Sequence, residues 1–285
     1  MDKYLLSVPQ DVGANLDGLS VNVMALVDDL VLTASSASGL QHLIDHTVSF
    51  LGQVGLESNI SKCSTIAIRT IQNRKNTAED ASVVFNINNQ RVQALRQSDI
   101  WKYLEIRFCG DGRAKVQTEE RLRGFLDRLT SAPMKPQQRM WALRVKLIPR
   151  ITYELVLGQV SHGYLTKIDR IISSYVRKWL FLPHDCRNAY IHSKIVYAGL
   201  GIPSWRWKAS HERFECLRRL KDSSYLGGPV VNSYLDKQIQ KAEQRLRDDT
   251  DSILKTPQAI EKFWRRHLYS KFDGINLKDS SKVRS

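Results

Sequence analysis

Two adjacent carboxylates, Asp28 and Asp29, interrupt an otherwise apolar stretch at residues 21–34. The Val- and Leu-rich runs on either side read as buried strands, and the polar pair between them reads as the tip of a tight hairpin. Two like charges at the end of a buried hairpin repel each other, and a bound divalent cation would offset that repulsion. Asp-Asp is also good turn chemistry in its own right. Taken alone, the stretch leaves both readings open. A helical signal follows at once: Leu40, Leu43, Ile44, Val48 and Leu51 repeat at helix spacing behind Ser38, a residue suited to an N-cap.

The rest of the chain has a globular composition. Of its 285 residues, 42% are hydrophobic and 25% charged, enough to bury a core in one or two domains. No apolar run reaches the length of a membrane span and the N-terminus lacks a signal-peptide pattern, so a soluble intracellular protein is expected. Cys63, Cys109, Cys186 and Cys216 are far apart and form no Cys-x-x-Cys pair. That argues against a zinc knuckle and a secreted disulfide framework.

Charge is unevenly distributed. Residues 1–112 hold nine basic and twelve acidic side chains, residues 113–221 hold twenty-two and eight, and residues 222–285 hold twelve and nine. The middle third therefore carries a surplus equal to the whole net charge of +14. A concentrated basic segment after a carboxylate-bearing one fits a binder of phosphate backbones, and equally a solvated basic helical surface.

Patterning divides the chain at the same places. Asp17-Gly18 reads as a turn before the first hairpin strand. Residues 63–69 alternate like a strand, residues 83–87 and 91–95 flank Asn88-Asn89 as a hairpin, and residues 100–108 read as one further strand closed by Gly110-Asp111-Gly112. From Lys115 the period becomes helical. Leu122, Phe125, Leu126 and Leu129 share a face. A second helix from about Gln137 is ended or kinked by Pro149, and residues 151–159 and 165–180 supply two more. Helices are also expected through Phe214, Leu217 and Leu220, over 234–254 and over 260–269, with a Ser/Gly-rich linker at 222–232 and a disordered tail at 278–285. The fold class is α+β followed by all-α.

The order of hairpin, Asp-Asp, helix and Gly55-Leu56-Glu57-Ser58-Asn59-Ile60-Ser61-Lys62-Cys63 resembles the third and fourth sequence motifs of reverse transcriptases. The resemblance is closest to the site-specific non-LTR retrotransposons of arthropods that insert into ribosomal DNA. Tyr103-Leu104-Glu105-Ile106-Arg107-Phe108 resembles the primer-grip strand pair. Arg177-Lys178-Trp179-Leu180 with Leu182-Pro183, then residues 199–204, is similar to the thumb and the segment after it, and residues 263–274 to the later linker.

That resemblance implies a truncated palm at 1–112, a basic helical thumb and following segment at 113–221, and linker helices with a tail at 222–285. It implies RNA-directed DNA polymerisation by two-metal nucleotidyl transfer, with Mg2+ as the metal. Asp28 would be a metal ligand and Asp29 the supporting one. Lys62 would lie beside the leaving pyrophosphate. Tyr103 and Leu104 would position the primer terminus, and Arg121, Arg128, Arg144, Lys146, Arg177 and Lys178 would follow the duplex backbone. The implied partners are an RNA template, a DNA primer or target and the N-terminal polymerase portion, with no membrane, and the implied location is nuclear.

The chain also departs from the family pattern. No residues before Asp28 resemble the first motif, which supplies a further metal-binding aspartate, and the second motif and the fingers have no counterpart. Leu26-Val27 replaces an aromatic-Ala pair, and Glu105 stands where the primer grip has glycine. The chain by itself is therefore expected to be incompetent in polymerisation. A non-catalytic nucleic-acid-binding remnant and a decayed fragment with an exposed palm edge are the alternatives.

Overall fold

The computed structural model describes residues 2–269 apart from positions 10, 17–18, 71–76, 81, 97, 105, 111–113, 159, 224–228 and 249. The expected turns at Asp17-Gly18 and Gly110-Asp111-Gly112, Glu105, positions 224–228 of the Ser/Gly linker, and the tail lie wholly or partly outside the described residues, while α8 and α9 take up the linker's ends at 222 and 229–232. The α+β reading holds. The chain forms two compact units: residues 1–115 with 220–236, and residues 116–219 with 237–285.

The first unit begins with α1 (Asp2–Ser7) and a hairpin of β1 (Ala14–Leu16) and β2 (Leu19–Val21). Next come β3 (Val23–Leu26), β4 (Asp29–Leu32) and α2 (Ala37–Gln53), the helix on which the unit is built. Tyr4 of α1 is buried against it, its hydroxyl 2.6 Å from Thr47 Oγ1 and its ring 5.2 Å from Phe50. Leu30 and Leu32 of β4 pack with Tyr4, Val8 and Leu43, while Leu32 also joins a second cluster of Ile44, Phe85, Ile87 and Val92. The helix is capped one residue pair earlier than its sequence suggests. Ser36, not Ser38, has extended backbone, and its Oγ accepts from Gly39 N at 3.1 Å.

The remaining strands are short: β5 (Ser64–Thr65), β6 (Ile68–Thr70), β7 (Thr77–Glu79), β8 (Asn86–Ile87), β9 (Gln90–Arg91), β10 (Gln93–Ala94), β11 (Ile100–Tyr103) and β12 (Ile106–Cys109). The single strand expected at 63–69 is two, β5 pairing in parallel with β10 and β6 antiparallel with β7. Asn88 and Asn89 turn the β8–β9 hairpin with φ of 48° and 62°, as a two-residue turn of the mirror-image type requires. The single strand expected at 100–108 is also a hairpin, because Leu104 adopts φ 48° and reverses the chain. Alternation alone cannot reveal such a reversal: Trp101 still faces Phe108 across the turn, with ring centroids 5.0 Å apart.

The second unit is helical: α3 (Thr118–Ser131), α4 (Pro136–Ala142), α5 (Ile148–Leu157), α6 (His162–Leu180), α7 (Asn188–His192), most of α8 (Trp205–Asp222), the end of α9 (Pro229–Gln244) and α10 (Pro257–Tyr269). Between α4 and α5 the helix widens into a π turn at Leu143–Leu147 and continues, so Pro149 does not end it. Proline offers no N–H to the preceding turn and its ring crowds the carbonyl four residues back, here that of Val145; the wider turn relieves both. The helix expected over 234–254 stops at Gln244, where Asp248 gathers the turn by accepting from Thr250 and Ser252 N, each at 2.9 Å.

Leu122, Leu126, Leu143, Leu155, Leu165, Ile168, Ile172, Val176 and Trp179 form the main core of this unit. Trp207, Phe214, Leu246 and Phe263 form a smaller one that draws the C-terminal helices onto α8. Two buried carboxylates fasten the helices end to face. Glu154 of α5 accepts from Gln117 N at 2.9 Å and Thr118 Oγ1 at 2.7 Å, and pairs with Arg121, so it caps α3, whose own Gln117 makes no side-chain cap. Asp169 of α6 accepts from Ser204 Oγ at 2.7 Å, Trp205 N at 2.6 Å and Arg206 N at 3.0 Å, and so caps α8. Close approach also restricts Gly158, where a Cβ would stand 2.5 Å from both Glu154 O and Val116 Cγ2.

His192 lies beside Asp169, with Nδ1 3.0 Å from Ile202 O and its ring 4.7 Å from that of Trp264. Burial holds its imidazole below the ordinary value of 6.5, assisted by Arg177 and opposed by Asp169 and the Ile202 carbonyl. Burial pushes the Asp169 carboxyl above its ordinary value of 3.8, against the three hydrogen bonds and the pull of His192.

Replacing Asp169 by Ala leaves two backbone donors and a hydroxyl buried without an acceptor, and is expected to lower stability by about 1–3 kcal/mol in urea unfolding. Acidification below 6.5 is also expected to destabilise the helical unit, because unfolded His192 takes a proton that the folded state refuses. Asp169 acts in the opposite sense: the folded state keeps its proton to higher pH, so acid partly offsets the loss. His192→Gln should therefore flatten the fall in melting temperature on acidification; an unchanged profile would count against the assignment.

Candidate functional site

The aspartate hairpin is formed as its sequence suggests. Its register runs Val23↔Leu32, Met24↔Val31, Ala25↔Leu30 and Leu26↔Asp29, with Val27 and Asp28 as the two turn residues. Leu30 and Leu32 anchor it to the core, whereas Met24 and Leu26 on the other face are exposed. Val27 stands 82% exposed with φ 56°. A β-branched residue in that left-handed region is strained by about 1–2 kcal/mol, and no packing offsets it.

Asp28 lies in the turn and Asp29 opens β4; both are exposed, and neither carboxylate meets a described donor or cation. Among the described residues no group of three His, Cys, Asp or Glu side chains is gathered to hold a metal ion. Mg2+ asks for six oxygens in near-octahedral array and is commonly held by one or two carboxylates with water and phosphate oxygens. The pair suits that cation in chemistry but supplies only part of its shell.

Lys62 ends a 3-10 turn, Ile60–Lys62, and is exposed. The segment before it turns at Gly55, with φ 73° and Leu56 N bonded to Leu51 O, while Ile60 and Cys63 fold back against the Ile44 cluster. Tyr103 closes β11 opposite Ile106, and Leu104 is the strained turn residue. Sequence reasoning missed Trp101, which shares the Tyr103 face at 6.4 Å between centroids; the signal was the i, i+2 spacing of the two rings.

The six basic residues singled out in the helical unit divide into two groups. Arg121 pairs with Glu154, Arg144 donates to Leu200 O, and Arg177 donates to Cys186 O at 2.8 Å and Asn188 Oδ1 at 2.7 Å. All three are tied into the fold by these bonds, although the Arg121 side chain itself stays 55% exposed. Arg128, Lys146 and Lys178 are exposed, Arg128 lying 5.5 Å over the Phe125 ring. The acidic side chains of this unit are largely occupied. Glu119 pairs with Lys167 and Arg123, Glu212 with Lys208 and Glu215 with Arg218, while Asp127 accepts from the Tyr175 hydroxyl at 2.5 Å. The surplus of cations consequently faces solvent.

The first unit thus carries a strand hairpin with paired exposed carboxylates, and the helical unit carries exposed cations. No protein-family model matches the chain. It is 40% identical over 98% of its length to the retrovirus-related Pol polyprotein from the type-2 retrotransposable element R2DM of Drosophila melanogaster. The Pol polyprotein from the type-1 element R2 of Nasonia vitripennis is 33% identical over 99% of the chain, and that of Bradysia coprophila 28% over 98%. The chain belongs to the R2 retrotransposon Pol polyprotein family. It spans about a quarter of the length of the first two relatives and a third of the last, 26%, 26% and 32%. Among the described residues no helix is long and apolar enough to cross a membrane.

Because the hairpin carboxylates have no described partner, Asp28→Asn and Asp29→Asn are each expected to change stability by less than about 0.5 kcal/mol. Thermal unfolding checks this. A large loss would mean that the pair is a structural device of the turn.

Proposed function

We propose that the chain is the C-terminal part of an R2-type reverse transcriptase, taking in part of the polymerase palm, the basic thumb and the linker helices after it. The observation that carries this reading is the sorting of charge in the helical unit, where acids are occupied in capping and pairing and exposed cations remain. Such a surface suits a nucleic-acid backbone, and the carboxylate hairpin in the other unit suits the metal that a transferring phosphate needs. An RNA template, a DNA primer or target and a nuclear site of action follow from the same reading.

In this role Asp28 and Asp29 would supply carboxylate oxygens to Mg2+. When bound, the metal offsets charge on the transferring phosphoryl group. Lys62 stands ready to neutralise the leaving pyrophosphate, and Tyr103 with Leu104 fixes the primer terminus. Arg128, Lys146 and Lys178 follow the duplex backbone, while Arg121, Arg144 and Arg177 hold the helices that present them.

The incomplete carboxylate set favours a second reading of the chain taken alone: a nucleic-acid-binding module without catalysis. One experiment separates the two. Purified chain is mixed with a primed RNA template, deoxynucleotides and Mg2+, next to Asp28→Ala, and binding is followed as salt is raised. Binding without extension is expected, with log K falling along log salt by about 0.7–0.9 per phosphate contacted. Removing Arg128, Lys146 and Lys178 together should flatten that slope by about 2–3. Extension lost in Asp28→Ala would show that the carboxylate set is completed; salt-insensitive or undetectable binding would overturn the nucleic-acid reading.

A further inference from the structure

The C-terminal end of α6 carries a feature that the fold does not require. Phe181 caps this helix with φ 52° and ψ 36°, and Leu182 N closes the end on Arg177 O at 3.0 Å. Glycine is the usual occupant of such a left-handed cap, because a Cβ there crowds the backbone. Phe181 is nevertheless 89% exposed, so its ring gains almost no burial in exchange for the strain. It forms one wall of a cleft of about 520 Å3 whose other lining residues are Ser174, Arg177, Lys178, Leu182 and His184.

This cleft is cationic and partly rigid. Arg177 is pinned by the Cys186 carbonyl and Asn188, and its Nε is buried without a partner. Lys178 and His184 are exposed. Arg170, Ser174 and Lys178 follow one another at i, i+4 spacing and lead to Phe181, a run of about 16 Å along the helix at 1.5 Å per residue. Asp185 adjoins His184 in sequence but does not line the cleft.

We propose that this cleft is a stacking subsite for an unpaired nucleotide of an RNA or DNA strand: the Phe181 ring takes the face of the base, and Lys178 and Arg170 take the flanking phosphates. An exposed ring beside cations is how proteins hold single strands without reading sequence, since every base offers a π-face. Most of the lining surface is apolar, as the face of a base requires, although Phe181 and Leu182 are its only apolar residues, the other four being polar or basic. The proposal rests on the nucleic-acid reading above and adds to it a residue and a strand state.

The strain at Phe181 makes the test sharp, because Phe181→Gly suits the backbone and removes the ring. Fluorescence anisotropy of the full chain is measured with labelled single-stranded RNA, single-stranded DNA, an abasic strand of the same length, and duplex. Phe181→Gly should melt no lower than the parent chain while binding both base-bearing single strands roughly tenfold more weakly. It should lose the preference for base-bearing over abasic strand and leave duplex binding unchanged. Phe181→Trp should restore affinity, with its indole fluorescence quenched on binding. Equal affinity of Phe181→Gly and the parent for single strands, or an equal loss on the abasic strand, would overturn the stacking role while leaving backbone binding in place. A drop in melting temperature would make Phe181 structural and overturn the proposal. No binding of any strand by the parent chain would overturn the nucleic-acid reading itself.

Discussion

The helical unit depends on two carboxylates withdrawn from water, Glu154 and Asp169. Each reaches from one helix to the exposed N–H groups at the start of another, Glu154 to α3 and Asp169 to α8. A lone buried carboxylate is costly, but one that accepts two or three hydrogen bonds at a helix N-terminus is offset by them and by the helix dipole. The arrangement fixes which helix ends meet which faces, something that a core of interchangeable Leu and Ile residues specifies poorly. It also draws two of the eight acidic residues of 113–221 into the interior. The basic surplus itself is a matter of composition, twenty-two basic to eight acidic side chains.

Unit one follows a different rule. Its strands pair as separate two-stranded ladders, and order comes from α2, on which Tyr4, Leu30, Leu32 and Phe85 converge. The aspartate hairpin is therefore anchored on one face and bare on the other, with Met24, Leu26 and Val27 exposed. Strain gathers at chain reversals: Val27 and Leu104 both hold left-handed backbone that glycine would adopt at less cost. Both lie in the two segments that resemble polymerase motifs. Phe181 repeats the pattern in the other unit, and like Val27 it displays a side chain where the backbone alone would favour none, whereas Leu104 is half-buried.

Much of this was legible beforehand. The Asp28-Asp29 hairpin, α2, the Asn88-Asn89 turn and the helices of residues 118–180 are all local consequences of period and turn chemistry. Boundaries fared worse wherever a distant partner decides them. Ser36 caps α2 although Ser38 has equal chemistry, residues 100–108 reverse at an apolar leucine, and α9 stops at Gln244 because Asp248 organises a turn beyond it. The basic residues of the helical unit could not be divided from sequence. Arg121, Arg144 and Arg177 differ from Arg128, Lys146 and Lys178 only by what lies opposite them in space.

By itself the sequence determined the class of fold, the carboxylate hairpin, the concentration of cations in one segment, and the kinship with R2 elements, because each is carried by local pattern or by the order of motifs along the chain. Only the tertiary structure decided which charges are used up inside and which face water, that Glu154 and Asp169 serve as caps for helices far along the chain, and that Phe181 stands bare beside a cationic cleft. Those outcomes depend on pairs such as Gln117 with Glu154 and Asp169 with Trp205, 37 and 36 residues apart. No local propensity encodes a contact at that distance; packing does.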